Sequence, residues 1–387
     1  MDTKLTLMQI FALSTAGMCH ALLGSVKIPL SRKLEIDEAR IGSLVSVFGF
    51  TLIPMAFAAG FLADSWGKSF VMVGGCALLI AAVLVLAWMK NYATTLLSVL
   101  LLGTGWSALV NVLNATQGPA FLPLEEIKDR LSFAMNLGDF VFGMGAFVMP
   151  IAVAISINKL GLRTTFLLFA GLLVLPLALS FGVDWERITA PPTADIEDAF
   201  STLLADKFVW ICCVAFFFHV PIEACVATWA TTLMKDHKVT ETRAAQLLSA
   251  FWLTFTVSRL VAALSLPKGF DHLVVVVMAG LCVVCTAGLV LSRSRELTCG
   301  LLITAGAILG PIFPILIALL LGHVDQPLHG RAIGLFFCIG GIGWAIVPFA
   351  VGTLAKTTSV QKAFSVVCGC AVCLTVLCII LNFAGGH

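Results

Sequence analysis

Apolar stretches of about 20 residues recur from one end of this chain to the other, broken only by charged residues or by Gly and Pro. That is the length a helix needs to cross ~30 Å of hydrocarbon. A membrane-spanning barrel would instead show short segments of alternating polarity, so strands are excluded. Composition agrees. Of the 387 residues, 60% are hydrophobic and 11% charged, whereas soluble domains run near a quarter charged. The expected fold class is an all-α polytopic membrane protein.

The segments fall near 5–30, 41–63, 70–89, 94–121, 131–157 and 164–183, and then near 208–234, 245–266, 271–292, 298–322, 332–355 and 363–384. Between the two sets lies the longest polar stretch, "DWERITAPPTADIEDAFSTLLADK", residues 184–207. The pattern predicts twelve transmembrane helices in two six-helix bundles, residues 1–183 and 208–387, joined by a linker, 184–207. The start, "MDTKLTLMQIFALSTAGMCHALLGS", lacks a small-residue cleavage site and reads as a retained first helix, with a signal peptide as the alternative.

Several function classes drop out. A net charge of +2 gives no footprint for nucleic acid. No Walker loop is present, so ATP drive is not expected. No His, Cys or acid cluster has metal-ligand spacing, and no enzymatic constellation is visible. Neither a cofactor nor a metal is expected. The 13 Cys sit almost entirely in apolar runs such as "ICC", "CVVC" and "CGCAVC". They read as reduced structural thiols, since the CVVC spacing has no polar partner beside it.

Ionisable groups inside hydrocarbon are rare, and they face a cavity or a partner. In the first segment Gly17, His20, Gly24 and Lys27 form one stripe. The glycines permit close approach of a backbone or a solute. His20 reads as lining a cavity. Lys27 either snorkels to the interface or binds an anionic group. The seventh segment carries "FFFHVPIEACVATWATTLMKD". Its Glu223 lies about 22 Å along the helix at 1.5 Å per residue, the same depth as His20 if both helices start on one side. Glu223 reads as a site of reversible protonation, with His219 four residues earlier as a partner for the proton. The structural alternative is a permanently protonated Glu bonded to a neighbouring helix. Pro221 frees backbone carbonyls nearby.

Asn111 and Asn114 lie on a stripe of the fourth segment with Gly103, Ser107 and Gly118. Asn136 and Asp139 share a face of the fifth, and Trp252, Thr256 and Arg259 share a face of the eighth. Amides together with flat aromatic faces suit hydroxyl-rich rings. Trp106, Trp229, Trp252 and Trp344 are candidate stacking partners, against packing or an interfacial belt as the plainer reading. "GPIFP" and "GMGAFVMP" read as helix-bending elements.

Residues 60–68, "GFLADSWGK", resemble the loop between the second and third helices of the major facilitator superfamily. Gly60, Asp64, Gly67 and Lys68 fit that motif, and Ser65 replaces its usual Arg. Further stretches resemble the fucose–proton symporter branch: "GTGWSALVNVLNATQGPAFLP", "NLGDFVFGMGAFVMP", "PIEACVATW", "SAFWLTFTVSRL" and "GGIGWAIVPFAVG". The resemblance covers nearly the whole chain. It implies two bundles around a central cavity working by alternating access, with a sugar-like substrate driven by protons. It also implies a monomer in the cell membrane with both termini cytosolic. Asp139 and Arg259 would then face each other across the two halves as an inner gate, with bonds made within each half as the alternative.

Two features cut against a simple transfer. The branch's fucose permease has carboxylates in helices 1 and 4, whereas here helix 1 offers His20 and Lys27 and helix 4 offers Asn111 and Asn114. With the termini inside, the inner segments also carry eight Lys or Arg against thirteen outside, opposite to the positive-inside rule. Three readings follow: proton-coupled import of a sugar or related small polar solute, export or exchange of amphipathic or anionic molecules, and a membrane sensor or scaffold without turnover.

Overall fold

With no water inside a bilayer, each spanning segment must satisfy its own backbone, and helix is the form that does so within one segment. The computed structural model describes residues 2–188 and 196–385 and contains no strand among them. The helices are α1 (Thr3–Leu34), α2 (Glu38–Ser65), α3 (Lys68–Ala87), α4 (Tyr92–Phe121), α5 (Ile127–Ser180), α6 (Trp185–Ile188), α7 (Ile196–Ala205), α8 (Lys207–Asp236), α9 (Glu241–Ser265), α10 (Asp271–Leu291), α11 (Arg295–Leu309), α12 (Ile312–His323), α13 (His329–Thr357) and α14 (Val360–Gly385). Polar caps start several of them. Asp2, Asp37 and Ser294 accept from the first turn, and Asn91 forms a capping box with Thr94.

Two places depart from the segment pattern. The fifth and sixth segments run together as α5, 54 residues long. At 1.5 Å per residue that is about 80 Å, far more than one crossing. Gly161 within it has φ +80°, a left-handed conformation that glycine adopts without strain, so α5 is two spans meeting at Gly161. Eleven stretches among the described residues are long and apolar enough to cross a membrane, and the break in α5 makes them twelve. The tenth segment is divided into α11 and α12 at Gly310 and Pro311, where "GPIFP" predicts a bend. Pro314 has no N–H for the Gly310 carbonyl four residues back.

The expected linker, 184–207, carries helical structure. It contains α6 and α7, and its residues 189–195 lie outside the described residues. By contacts the chain forms two compact units, Met1–Ile127 with Gly138–Thr202 and Val324–Cys338, and Lys128–Leu137 with Leu203–His323 and Ile339–His387. In the first unit α4 is the central helix, packed on α1, α2 and α3. In the second, α14 packs on α8 and α10, and α9 on α11.

Where the linker enters α8, Asp206 caps the helix by accepting from the Phe208 amide at 2.8 Å. It also pairs with His323 Nε2 at 2.8 Å. Burial alone would raise the Asp206 carboxyl, but the His323 bond and the Phe208 amide outweigh it and hold it below its ordinary 3.8. Its contribution is therefore present above pH 3.8 and is lost as pH falls through the lowered value. Both side chains are over 30% exposed, 41% for His323 and 33% for Asp206, so the pair is worth at most about 1 kcal/mol. Asp206→Asn is expected to change the melting temperature slightly at neutral pH and not at all below the carboxylate's titration. Melts across the acid range check this.

Candidate functional site

In the first unit one polar side chain of α1 stands apart from its neighbours. Ala16, Cys19, Leu22 and Leu23 of α1 are buried, yet His20 among them is exposed. Its ring stands beside three others. The centroids are 5.4 Å from Trp106, 5.9 Å from Phe142 and 6.3 Å from Phe48. Trp106 is fixed by its indole N–H, which donates to the Ala16 carbonyl at 2.9 Å. Close helix contact makes this cluster possible. A Cβ on Gly17 would collide with the Phe142 carbonyl, and one on Gly145 with the Ser14 carbonyl. An accessible imidazole walled by flat rings can hydrogen-bond one edge of a solute while the rings cover its faces. Lys27, further along α1, is half-buried.

The loop motif builds a second arrangement. Gly67 has φ +96°, the turn that lets α3 start directly after α2. Asp64 is nearly buried, and its carboxylate accepts from the Gly330 amide at 2.9 Å and the Arg331 amide at 2.7 Å. These are first-turn amides of α13, where donors lack helical partners and the helix dipole favours an anion. Gly60 makes room, since a Cβ there would strike the Gly330 carbonyl. Asn111 Nδ2 donates to that same carbonyl at 2.9 Å. Lys68 is also buried, with its charge acting on Asp64. Arg331, whose Nη2 reaches Ser65 Oγ at 3.3 Å, supplies the guanidinium beside this loop. It is 1% exposed, and the segment pattern treats it only as a charge ahead of the eleventh helix.

The remaining amides of the N-terminal half bond locally. Asn114 Nδ2 donates to the Val110 carbonyl at 2.9 Å, and Gln117 Nε2 to Asn114 Oδ1 at 3.4 Å. Asn136, 0% exposed, donates to the Ser132 carbonyl at 2.9 Å. Gln9 and Thr116, which the sequence reading passes over, are both buried. Gln9 Nε2 donates to the Leu113 carbonyl at 2.8 Å and its Oε1 accepts from Thr116 at 3.1 Å, tying α1 to α4.

In the second unit His219 is fully buried, stacked on Phe216, and neither ring nitrogen has a hydrogen-bond partner. The imidazole is therefore not bonded to Glu223, which is half-buried one turn further on. The Phe217 carbonyl, freed by Pro221, lies where a Cβ on Gly343 would be. Arg259, 7% exposed, donates Nε to the Gly310 carbonyl at 3.1 Å and lies 4.4 Å from the Phe255 ring. Asp139 belongs to the first unit and Arg259 to the second. Trp252 packs edge-on to Phe251 and Phe255, and both it and Trp344 are over a third exposed. Trp229 lines a cavity of about 320 Å³ with Phe349, Gly352, Thr353 and Lys356. Among the described residues no three His, Cys, Asp or Glu side chains are arranged to hold a metal ion.

A family model described as the Major Facilitator Superfamily matches residues 9–348. The chain belongs to that superfamily, and it is a multi-pass membrane transporter and not an enzyme. No curated protein matches it in sequence. Among solved structures, the transporter FucP in its outward conformation superposes with a TM-score of 0.81 at 14% identity, over 96% of this chain and 97% of that one. The human organic anion transporter MFSD10 gives 0.79 at 14%, over 98% and 100%. The proton:xylose symporter XylE gives 0.75 at 12%, over 96% and 94%. At these identities the likeness is one of fold.

Proposed function

We propose that this chain is a secondary active transporter that imports a sugar or a related small polar solute together with protons. The observation that carries the reading is His20, accessible in the middle of a membrane helix and walled by Trp106, Phe142 and Phe48. That arrangement suits a ring with hydroxyls on its edge and apolar faces. The fold's likeness to symporters of fucose and xylose supports the same class. Glu223 is the proposed coupling group, the one carboxylic acid in the middle of α8. Asp139 and Arg259 are proposed to form a gate, to be tested by exchanging their charges. The chain is proposed to work as a monomer in the cell membrane with both termini in the cytosol.

The deciding experiment is uptake of a panel of labelled sugars into proteoliposomes, with and without an inward proton gradient. Gradient-driven accumulation of one sugar is expected. Glu223→Gln is expected to abolish accumulation and leave exchange largely intact, and normal accumulation by that variant would remove Glu223 from the coupling role. Trp106→Ala is expected to weaken apparent affinity by roughly tenfold, the value of one aromatic contact. A second reading, an organic anion as cargo, is favoured by the absence of any acid in the membrane part of α1 or α4. It takes over if folded, inserted protein moves no sugar.

A further inference from the structure

His20 and Lys27 are the ionisable side chains in the spanning part of α1, and among the described residues neither makes a hydrogen bond or an ion pair with the protein. Lys27 is half-buried. A cation at that depth is costly unless a partner or a polar cavity serves it. The neighbouring helices offer no counter-charge, since the membrane parts of α1 and α4 and residues 41–63 of α2 contain no acid. Seven positions apart, His20 and Lys27 lie on one stripe, about 10 Å from each other at 1.5 Å per residue. Gly24 between them is exposed, and a Cβ there would meet nothing within 4 Å. Leu22, Leu23, Val26 and Leu30 around the stripe are buried. In a helix the Cα–Cβ bond tilts toward the N-terminus. Lys27 therefore leans toward His20 and away from Arg32 and Lys33 in the last turn, and snorkelling to that end of the helix runs against the lean.

We infer that the cargo is a sugar acid, whose carboxylate pairs with Lys27 while its ring lies against His20, Trp106 and Phe48. A charged solute deepens the transport reading, on which it rests, by adding an acidic group to the ring placed at His20. The recognition divides by position. Ring hydroxyls bond the imidazole, the aromatic side chains cover the ring faces, and the carboxylate takes the place of the water that the ammonium gives up. Gly24, without a side chain, leaves the path between the two ends free. A neutral sugar fills the His20 end only and leaves the Lys27 charge unpaired. All of these residues lie in the first unit.

The test is equilibrium binding to the full-length protein in nanodiscs of phosphatidylcholine alone, which removes anionic lipid as a partner for Lys27. The probes are sugars paired so that only one substituent differs: glucose with glucuronate, and galactose with galacturonate. In at least one pair the acid is expected to bind roughly 10- to 150-fold more tightly, the range of a hydrogen bond to a charged group. Lys27→Met is expected to remove that preference and Lys27→Arg to keep it, while Trp106→Ala weakens both members of the pair alike. The sugar acid is overturned if the neutral member binds as tightly as the acid in each pair, or if Lys27→Met keeps the preference. In either case a sugar still binds, and the transport reading stands without the charge. If neither member of any pair binds to protein that melts cooperatively, the sugar acid and the assignment of a sugar to His20 fall together. Should Lys27→Met fail to fold, Lys27→Gln takes its place.

Discussion

Asp64→Ala is expected to release the first turn of α13 and to cost the protein on the order of 3 kcal/mol, with transport falling at least tenfold. The carboxylate accepts from two amides, Gly330 and Arg331. Hydrogen bonds to a charged group are each worth about 1.5–3 kcal/mol, and an anion at a helix N-terminus adds about 0.3–1 kcal/mol. Both donors are buried against Gly60, so water does not easily replace the lost acceptor. Asp64→Asn keeps the shape and one acceptor and should fall between parent and Ala. Asp64→Glu is not a conservative change, because the close approach at Gly60 leaves no room for another methylene. Melting in detergent together with exchange at Gly330 and Arg331 checks this. An Ala variant that melts with the parent and exchanges no faster would show that Asp64 does not hold α13.

Gly145→Val is expected to prevent folding into a monodisperse species, and Gly17→Val to do the same. At each position a Cβ meets a backbone carbonyl, that of Ser14 or Phe142. Backbone cannot swing aside as a side chain can, so α1 and α5 must separate. Overpacking costs about 1–3 kcal/mol when side chains absorb it, and more is expected where two helices must move. Phe142 is one turn from Gly145, so the separation would also open the ring cluster around His20. Size-exclusion profiles of fluorescently tagged variants give the answer. A Val variant as monodisperse and as stable as the parent would mean that the close contact is not required.

Most of the fold is legible in hydrophobicity, because in a bilayer segment length and apolarity are direct physical requirements. The division of α11 from α12 is legible as well, since Pro removes specific donors. The Gly161 break is visible only as the gap between two segments and not as a left-handed residue. Among site residues, Asp64 is readable because a short motif surrounds it, while its partners are not. They lie more than 260 positions away, and nothing local in "LHGRAIG" marks Arg331 as fully buried. Asn111 reads as a cavity amide from its stripe, yet in the structure it serves the Gly330 carbonyl. Phe200 is hidden by its surroundings. Two isolated aromatics inside a polar linker, Trp185 and Phe200, give no periodic signal, and the contact of Phe200 with Phe61 and Arg331 appears only in the structure.

The break between α11 and α12 means that a local defect is mended from elsewhere in the chain. Pro314 deprives the Gly310 carbonyl of its helical donor, and Arg259 of α9 supplies one in its place at 3.1 Å. The tenth span is thus held together partly by a side chain 51 positions earlier. Its integrity is not a property of its own residues. Any event that turns the Arg259 Nε–H away competes directly with a backbone carbonyl. Electrostatic demand at one helix is thereby converted into bending freedom in another.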